Sequence, residues 1–207
     1  MRTGQKLSPK GRVTLMDTNA AQERFEHRGR GAVSNQTGRY EKQTHHAFDD
    51  GWGTIEDDAG RLETVLMKDT ARKIITYNKS PDISFDRTVN PYRGCEHGCI
   101  YCFARPTHTW EGLSAGLDFE SKLFYKENAV ELLKRELSKP DYVPRVIALG
   151  MNTDAYQPVE REQRLTRELL EVLYAYRHPV SLLTKSALIQ RDIDLIAPMA
   201  KAGLARV

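Results

Sequence analysis

Asn90-Pro91-Tyr92-Arg93-Gly94-Cys95-Glu96-His97-Gly98-Cys99-Ile100-Tyr101-Cys102-Phe103-Ala104-Arg105 contains every cysteine of the 207-residue chain. Thiolates bind zinc and iron–sulfur clusters, and both need several of them converging on a small volume. Gly94 and Gly98 supply the backbone freedom that a tight wrap requires. Three thiols are one fewer than the usual four, which leaves an open position of the kind used for chemistry rather than scaffolding. The odd count argues against a disulfide framework, as does a chain too long for a small secreted domain. Ligand type and spacing favour an iron–sulfur cluster. A zinc site with His97 as fourth ligand stays open, although zinc sites usually draw ligands from two separated pairs.

Outward from the loop, apolar runs alternate with helical periodicity. Upstream, residues 62–67 and 74–77 are β-prone, and residues 88–90 form a short strand leading into the loop. Downstream, residues 124–138 are predicted to be a helix, with Ala129, Leu132, Leu133 and Leu137 at helical spacing and Pro140 ending it. Val146-Ile147-Ala148-Leu149, between Pro144 and Gly150, has the form of a strand buried on both faces. A second helix is predicted over 161–176, broken by Pro179, and a further strand over 180–184. A third helix over 186–202 is expected to be interrupted near Pro198, and residues 204–207 begin another strand. Such alternation implies an α/β fold with a parallel sheet, either doubly wound or part of a barrel, and places chemistry at the carboxyl ends of the strands. A sheet ended at Val207 would leave an unpaired edge. The sequence is therefore expected to be the amino-terminal part of a larger barrel, or a half completed by a partner chain.

Cys95-x3-Cys99-x2-Cys102, with the aromatic Tyr101 before the last cysteine, resembles the signature of the radical S-adenosylmethionine (SAM) enzymes. The stretch from Thr88 to His108 is similar to a narrower branch, uncharacterised bacterial proteins related to spore photoproduct lyase, and the resemblance covers residues 62–207. It implies a partial (β/α)6 barrel, with about the first three βα units and the start of strand four present, and the cysteine loop after its first strand. It further implies that Cys95, Cys99 and Cys102 hold a 4Fe-4S cluster, with SAM chelating the fourth iron through its amino and carboxylate groups. One electron then cleaves SAM to methionine and a 5′-deoxyadenosyl radical that abstracts hydrogen from a substrate. Tyr101 is expected near the adenine of SAM.

The stretch Gly150-Met151-Asn152-Thr153-Asp154 stands where the superfamily often carries Gly-Gly-Glu, which contacts the methionine amino group. Asn152, Thr153 and Asp154 are the candidates for that contact, against a plain helix-entry loop capped by Asp154. Thr184 and Ser186 are expected near SAM. Lys185 either pairs with the SAM carboxylate or is simply solvated, and Ser186 has the alternative role of helix cap. Arg93, Arg105 and His108 flank the motif; they could contact substrate, but flanking charges are more often structural, here pairing with Glu96 or Asp118.

The resemblance implies a low-potential ferredoxin or flavodoxin as electron donor, and DNA repair as the activity. Two features weigh against a nucleic-acid substrate. Residues 51–207 hold 22 basic and 22 acidic residues, so the barrel portion lacks the basic excess of a DNA-binding face. The photoproduct lyases also use a further cysteine as hydrogen donor, and this chain has none.

The net charge of +3 lies entirely within residues 1–50. That segment could touch nucleic acid, but its mixed charges and polarity fit a solvated tail. Residues 1–60 are thus expected to be a disordered extension, with His45 and His46 solvated and Trp52 a docking contact, and residues 61–207 to be the barrel portion. No apolar run reaches membrane-spanning length, and reduced thiols without an export signal point to the cytoplasm. Two other function classes remain open: a zinc-binding module with a basic tail, and a cluster protein that only transfers electrons.

Overall fold

Short apolar runs joined by amphipathic helices give the element order β1 (Val65–Lys68), β2 (Ile75–Tyr77), β3 (Arg87–Val89), β4 (Tyr92–Arg93), α1 (Leu117–Ser121), β5 (Lys122–Tyr125), α2 (Ala129–Leu137), β6 (Ile147–Leu149), α3 (Glu160–Gln163), α4 (Leu165–Ala175), β7 (Val180–Leu182), α5 (Ile193–Lys201) and β8 (Ala205–Arg206). Tight 3-10 turns cover Arg105–Glu111 and Ala187–Asp192. The structure is a computed structural model that describes residues 30–40 and 62–207.

The larger sheet has the order β2-β3-β6-β7-β8. β3, β6, β7 and β8 are parallel, with Thr88 opposite Ala148, Leu149 opposite Leu182, and Val180 opposite Ala205. β2 closes one edge antiparallel to β3. The chain is therefore a mixed α/β protein, and β3, β6, β7 and β8 are the four strands expected from the alternation. All of Ile147, Ala148 and Leu149 are buried, as a strand covered on both faces requires. Strand residues Val89, Ile147, Leu149, Val180 and Leu182 form one apolar core with Leu133, Leu169, Leu170, Leu173 and Met199 of the helices. Burying each such side chain contributes about 1.5–3 kcal/mol.

Three helix boundaries differ from expectation. Residues Lys122–Tyr125 form β5, parallel to β1 and antiparallel to β4 in a second, three-stranded sheet, so α2 begins only at Ala129. Aromatic Phe124 and Tyr125 suit a strand, and pairing with β1 overrides local helical spacing. The helix expected over 161–176 is split at Arg164, whose φ of 54° is left-handed. The buried Glu160 carboxylate accepts the amides of Thr166 (3.0 Å) and Arg167 (3.4 Å), so it caps α4 from the preceding turn. The break in the third helix falls at Asp192 rather than Pro198. Pro198 lies inside α5, whereas Asp192 is pinned between Arg167 (3.0 Å) and Arg191 (2.9 Å).

Within the segment expected to be an extension, residues 34–36 lie against the region after the cysteine loop. Leu117 donates to the Ser34 carbonyl (3.2 Å), Ser114 Oγ to the Gln36 carbonyl (2.8 Å), and Asn35 Nδ2 to Asp118 (3.0 Å). Apart from residues 30–40, the segment 1–60, with His45, His46 and Trp52, lies outside the described residues. No helix among the described residues is long and apolar enough to cross a membrane.

Candidate functional site

The cysteine loop follows β4, which comes just after the carboxyl end of β3, and is fixed by backbone contacts. The Cys95 amide donates to the Phe119 carbonyl (2.9 Å), Gly98 to Cys95 (3.1 Å) and Cys102 to Cys99 (3.1 Å). Gly94 and Gly98 both take left-handed φ, at 75° and 57°. Neither has room for a side chain, since a β-carbon at 94 would lie 2.7 Å from Leu123 and one at 98 would lie 2.6 Å from Arg30. All three thiols are free. Cys95 is buried and packs with Ala104, Phe119 and Cys102, while Cys99 and Cys102 are half-buried. Burial pushes the Cys95 thiol up to about 11.

Arg105 holds the loop from beneath. Its guanidinium donates to the carbonyls of Gly98 (2.8 Å), Cys99 (2.9 Å), Ala115 (3.1 Å) and Gly116 (3.2 Å), and lies 5.2 Å above the Phe119 ring. It also pairs with Glu120, whose side chain is fully buried. The same carboxylate accepts the consecutive amides of Arg30 (2.6 Å), Gly31 (3.1 Å) and Ala32 (2.8 Å). A β-carbon on Gly31 would collide with the Gly98 carbonyl, and one on Gly116 with that of Ser34. Arg30 continues to Glu96 (3.2 Å) and Thr64 (3.0 Å). Residues 30–36 thus run as a strap along the cysteine loop.

The neighbouring strand ends contribute a second group. After β6, Gly150 turns at φ 85°, and a β-carbon there would meet the Leu183 carbonyl at 2.8 Å. The half-buried Asp154 carboxylate accepts Tyr156 N (2.8 Å), Thr184 Oγ1 (2.6 Å) and Lys185 N (3.1 Å). His97 Nε2 stands 3.2 Å from it, within ion-pair distance but not aligned as a hydrogen bond. Burial raises the Asp154 carboxyl, yet His97, Thr184 and the two amides outweigh burial and hold it below the usual range. Lys185 reaches back over the loop and places Nζ 2.8 Å from Cys99 Sγ, which raises its ammonium.

Of the residues expected near SAM, Asp154 and Thr184 are in direct contact. Ser186 donates its amide to Thr184 Oγ1 (3.0 Å) and accepts Leu188 N (3.3 Å), so it serves as the cap of the following turn. Thr153 is buried with its hydroxyl on the Tyr92 carbonyl (3.0 Å), and the Asn152 amide is held by Asn90 Oδ1 (2.9 Å). Tyr101 is 82% exposed, beside exposed Ile100 and Phe103. Its aromatic face is open to a ligand rather than packed within the loop.

The flanking residues are structural, with partners other than those expected. Arg93 pairs with Asp69 (2.9 Å) and Glu111, and Arg105 with Glu120. His108 is buried between Phe119 and Phe124 with Nε2 on the Lys122 carbonyl (2.9 Å), and burial lowers its imidazole. Glu96 accepts Thr64 Oγ1 (2.6 Å) and Val159 N (2.7 Å). Sequence reasoning missed Glu120, Glu160 and Gln157. The Gln157 side chain bridges the loop, accepting Glu96 N (2.9 Å) and donating to the Gly94 carbonyl (3.3 Å).

Among the described residues, no group of three or more His, Cys, Asp or Glu side chains converges as a single metal-ion site. His97 faces Asp154. Three free thiols on one loop are the donor set that an iron–sulfur cluster would use, and Cys95, Cys99 and Cys102 would hold it.

The chain is similar to uncharacterised proteins of Mycobacterium tuberculosis and Mycobacterium bovis, each 42% identical over 127 residues, which is 60% of this chain and 37% of the relative. It is also 33% identical to an uncharacterised protein of Methanocaldococcus jannaschii over 135 residues, which is 65% of this chain and 47% of that protein. No protein-family model and no solved structure matches the chain. The matched region spans less than half the length of each of these relatives.

Proposed function

We propose that the chain is the cluster-bearing part of a radical SAM enzyme, built on a partial (β/α)6 barrel and related to the spore photoproduct lyase branch. One observation carries the reading: the three-cysteine signature lies beside the carboxyl ends of the parallel strands β6 and β7, where Asp154 approaches His97 and Lys185 touches Cys99. Cys95, Cys99 and Cys102 would hold a 4Fe-4S cluster. Bound there with SAM on its free iron, the cluster supplies the electron that splits SAM into methionine and a 5′-deoxyadenosyl radical.

The chain's own residues serve that chemistry by position. Arg105 and Gln157 fix the carbonyls and amides of the loop, so the thiols are held before a metal arrives. Asp154, whose carboxyl is held below the usual range, would orient an ammonium group, while exposed Tyr101 offers a flat apolar face to an adenine. A ferredoxin or flavodoxin of low potential would be the donor, the cytoplasm the compartment, and a nucleic acid the first substrate class to assay.

The test is anaerobic. The full chain is reconstituted with iron and sulfide, reduced with dithionite and given SAM. The expected product is 5′-deoxyadenosine, absent in Cys99→Ala. A colourless protein that retains zinc overturns the reading, and a brown protein that never cleaves SAM reduces it to electron transfer.

A further inference from the structure

Among the described residues, Lys185 is the one cation hydrogen-bonded to a thiol of the loop. Its placement is not left to a flexible side chain alone. Asp154 Oδ2 holds the Lys185 amide at 3.1 Å, Asp154 Oδ1 holds Thr184 Oγ1 at 2.6 Å, and Thr184 Oγ1 in turn accepts Ser186 N at 3.0 Å. The backbone on both sides of Lys185 is therefore tied down, and Nζ comes to 2.8 Å from Cys99 Sγ. His97, from between two of the cysteines, approaches the same carboxylate. Loop, β6 end and β7 end form a closed ring: Cys99, Lys185, Asp154, His97 and back to the loop.

We infer that Lys185 is a positioning charge of the thiol site, which acts through Cys99 to stabilise the reduced form of a thiolate-bound cluster and raise its reduction potential. This rests on the cluster reading above. Three thiolates around an iron–sulfur core concentrate negative charge, and reduction adds more. A fixed ammonium donating to a ligand sulfur offsets that charge more in the reduced state than in the oxidised one. The reaction concerned is a one-electron reduction: the donor loses one electron, the cluster gains it, and no proton moves. Lys185 is exposed, so salt screens part of the effect.

The test uses the full chain, reconstituted anaerobically and titrated with dithionite and redox mediators, with the reduced cluster followed by electron paramagnetic resonance. Lys185→Met removes the charge at similar length, and Lys185→Arg keeps it. Lys185→Met is expected to lower the reduction equilibrium constant about tenfold, which is about 59 mV for one electron. Lys185→Arg should stay near wild type. A Lys185→Met cluster that assembles normally and titrates with the wild-type protein overturns this inference alone. A wild-type chain that takes up no iron overturns both this inference and the cluster reading.

Discussion

In the parallel sheet, Val89, Ile147, Leu149, Val180 and Leu182 meet Leu133, Leu169, Leu170 and Leu173 in one large apolar core. Around the cysteine loop the corresponding apolar cluster is small: Cys95, Ala104 and Phe119, with Cys102 against them. What holds that region is polar and buried. Glu120 is gripped by Arg105 and three amides, Glu96 by Thr64, Arg30 and Val159, and Gln157 bridges two loop residues. Apolar packing is non-directional and tolerates adjustment, whereas a buried carboxylate demands each of its partners in place. The sheet is a platform; the loop is a fixed geometry laid on it.

Breaking the polar side should have the largest effect. Glu120→Ala leaves the Arg105 guanidinium and the amides of residues 30–32 without their acceptor, and is expected to cost about 3–5 kcal/mol in urea unfolding. If the loss is under about 1 kcal/mol, water replaces the carboxylate and the loop is less tightly specified than its contacts indicate. On the apolar side, Leu170→Ala should cost about 2–5 kcal/mol through the cavity it leaves. Alkylation of buried Cys95 separates the two cases: Glu120→Ala should accelerate it at denaturant concentrations where Leu170→Ala, still folded, does not.

Gly31→Ala should be milder, about 1–3 kcal/mol, because the strap can lift from the Gly98 carbonyl. The expected signature is faster Cys95 alkylation with little change in far-ultraviolet circular dichroism. Unchanged alkylation would mean that the strap is passive.

The smallest effect is a pH dependence shared by both regions. His108 lies in the loop region and His178 beside the sheet, and burial holds both imidazoles below their ordinary range. From about pH 6.5 downward the unfolded chain binds protons that the folded chain refuses, so stability should fall as pH drops through that window. His108→Gln and His178→Gln should each flatten part of the slope between pH 7.5 and 5.5, measured by chemical unfolding. An unaltered slope in both variants would place the dependence elsewhere.

The same contrast explains what was legible in the sequence. Val146-Ile147-Ala148-Leu149 between Pro144 and Gly150 announces a buried strand, and the leucine spacing of α4 announces its buried face, because apolar burial leaves a periodic trace. The three cysteines announce themselves by residue type and spacing. Glu96, Arg105 and Glu120 do not, because a charged residue without periodicity is ordinarily solvated, and only the fold brings its partner near. Residues 30–40 were the hardest to place: their composition is polar, and Arg30 meets Glu120 across 90 positions of sequence. The β5 strand was missed because Phe124 and Tyr125 suit either a helix or a strand until β1 is there to pair with them.

The strap also sets an order of events during synthesis. Arg30, Gly31 and Ala32 leave the ribosome well before Glu120 exists, and their amides stay bound to water until the loop, α1 and β5 have been made. Contacts across so long a separation close late, after local helices and hairpins. The strap therefore cannot close on the loop before residues 117–121 have been made, and until then the three free cysteines of a nascent chain lack that cover.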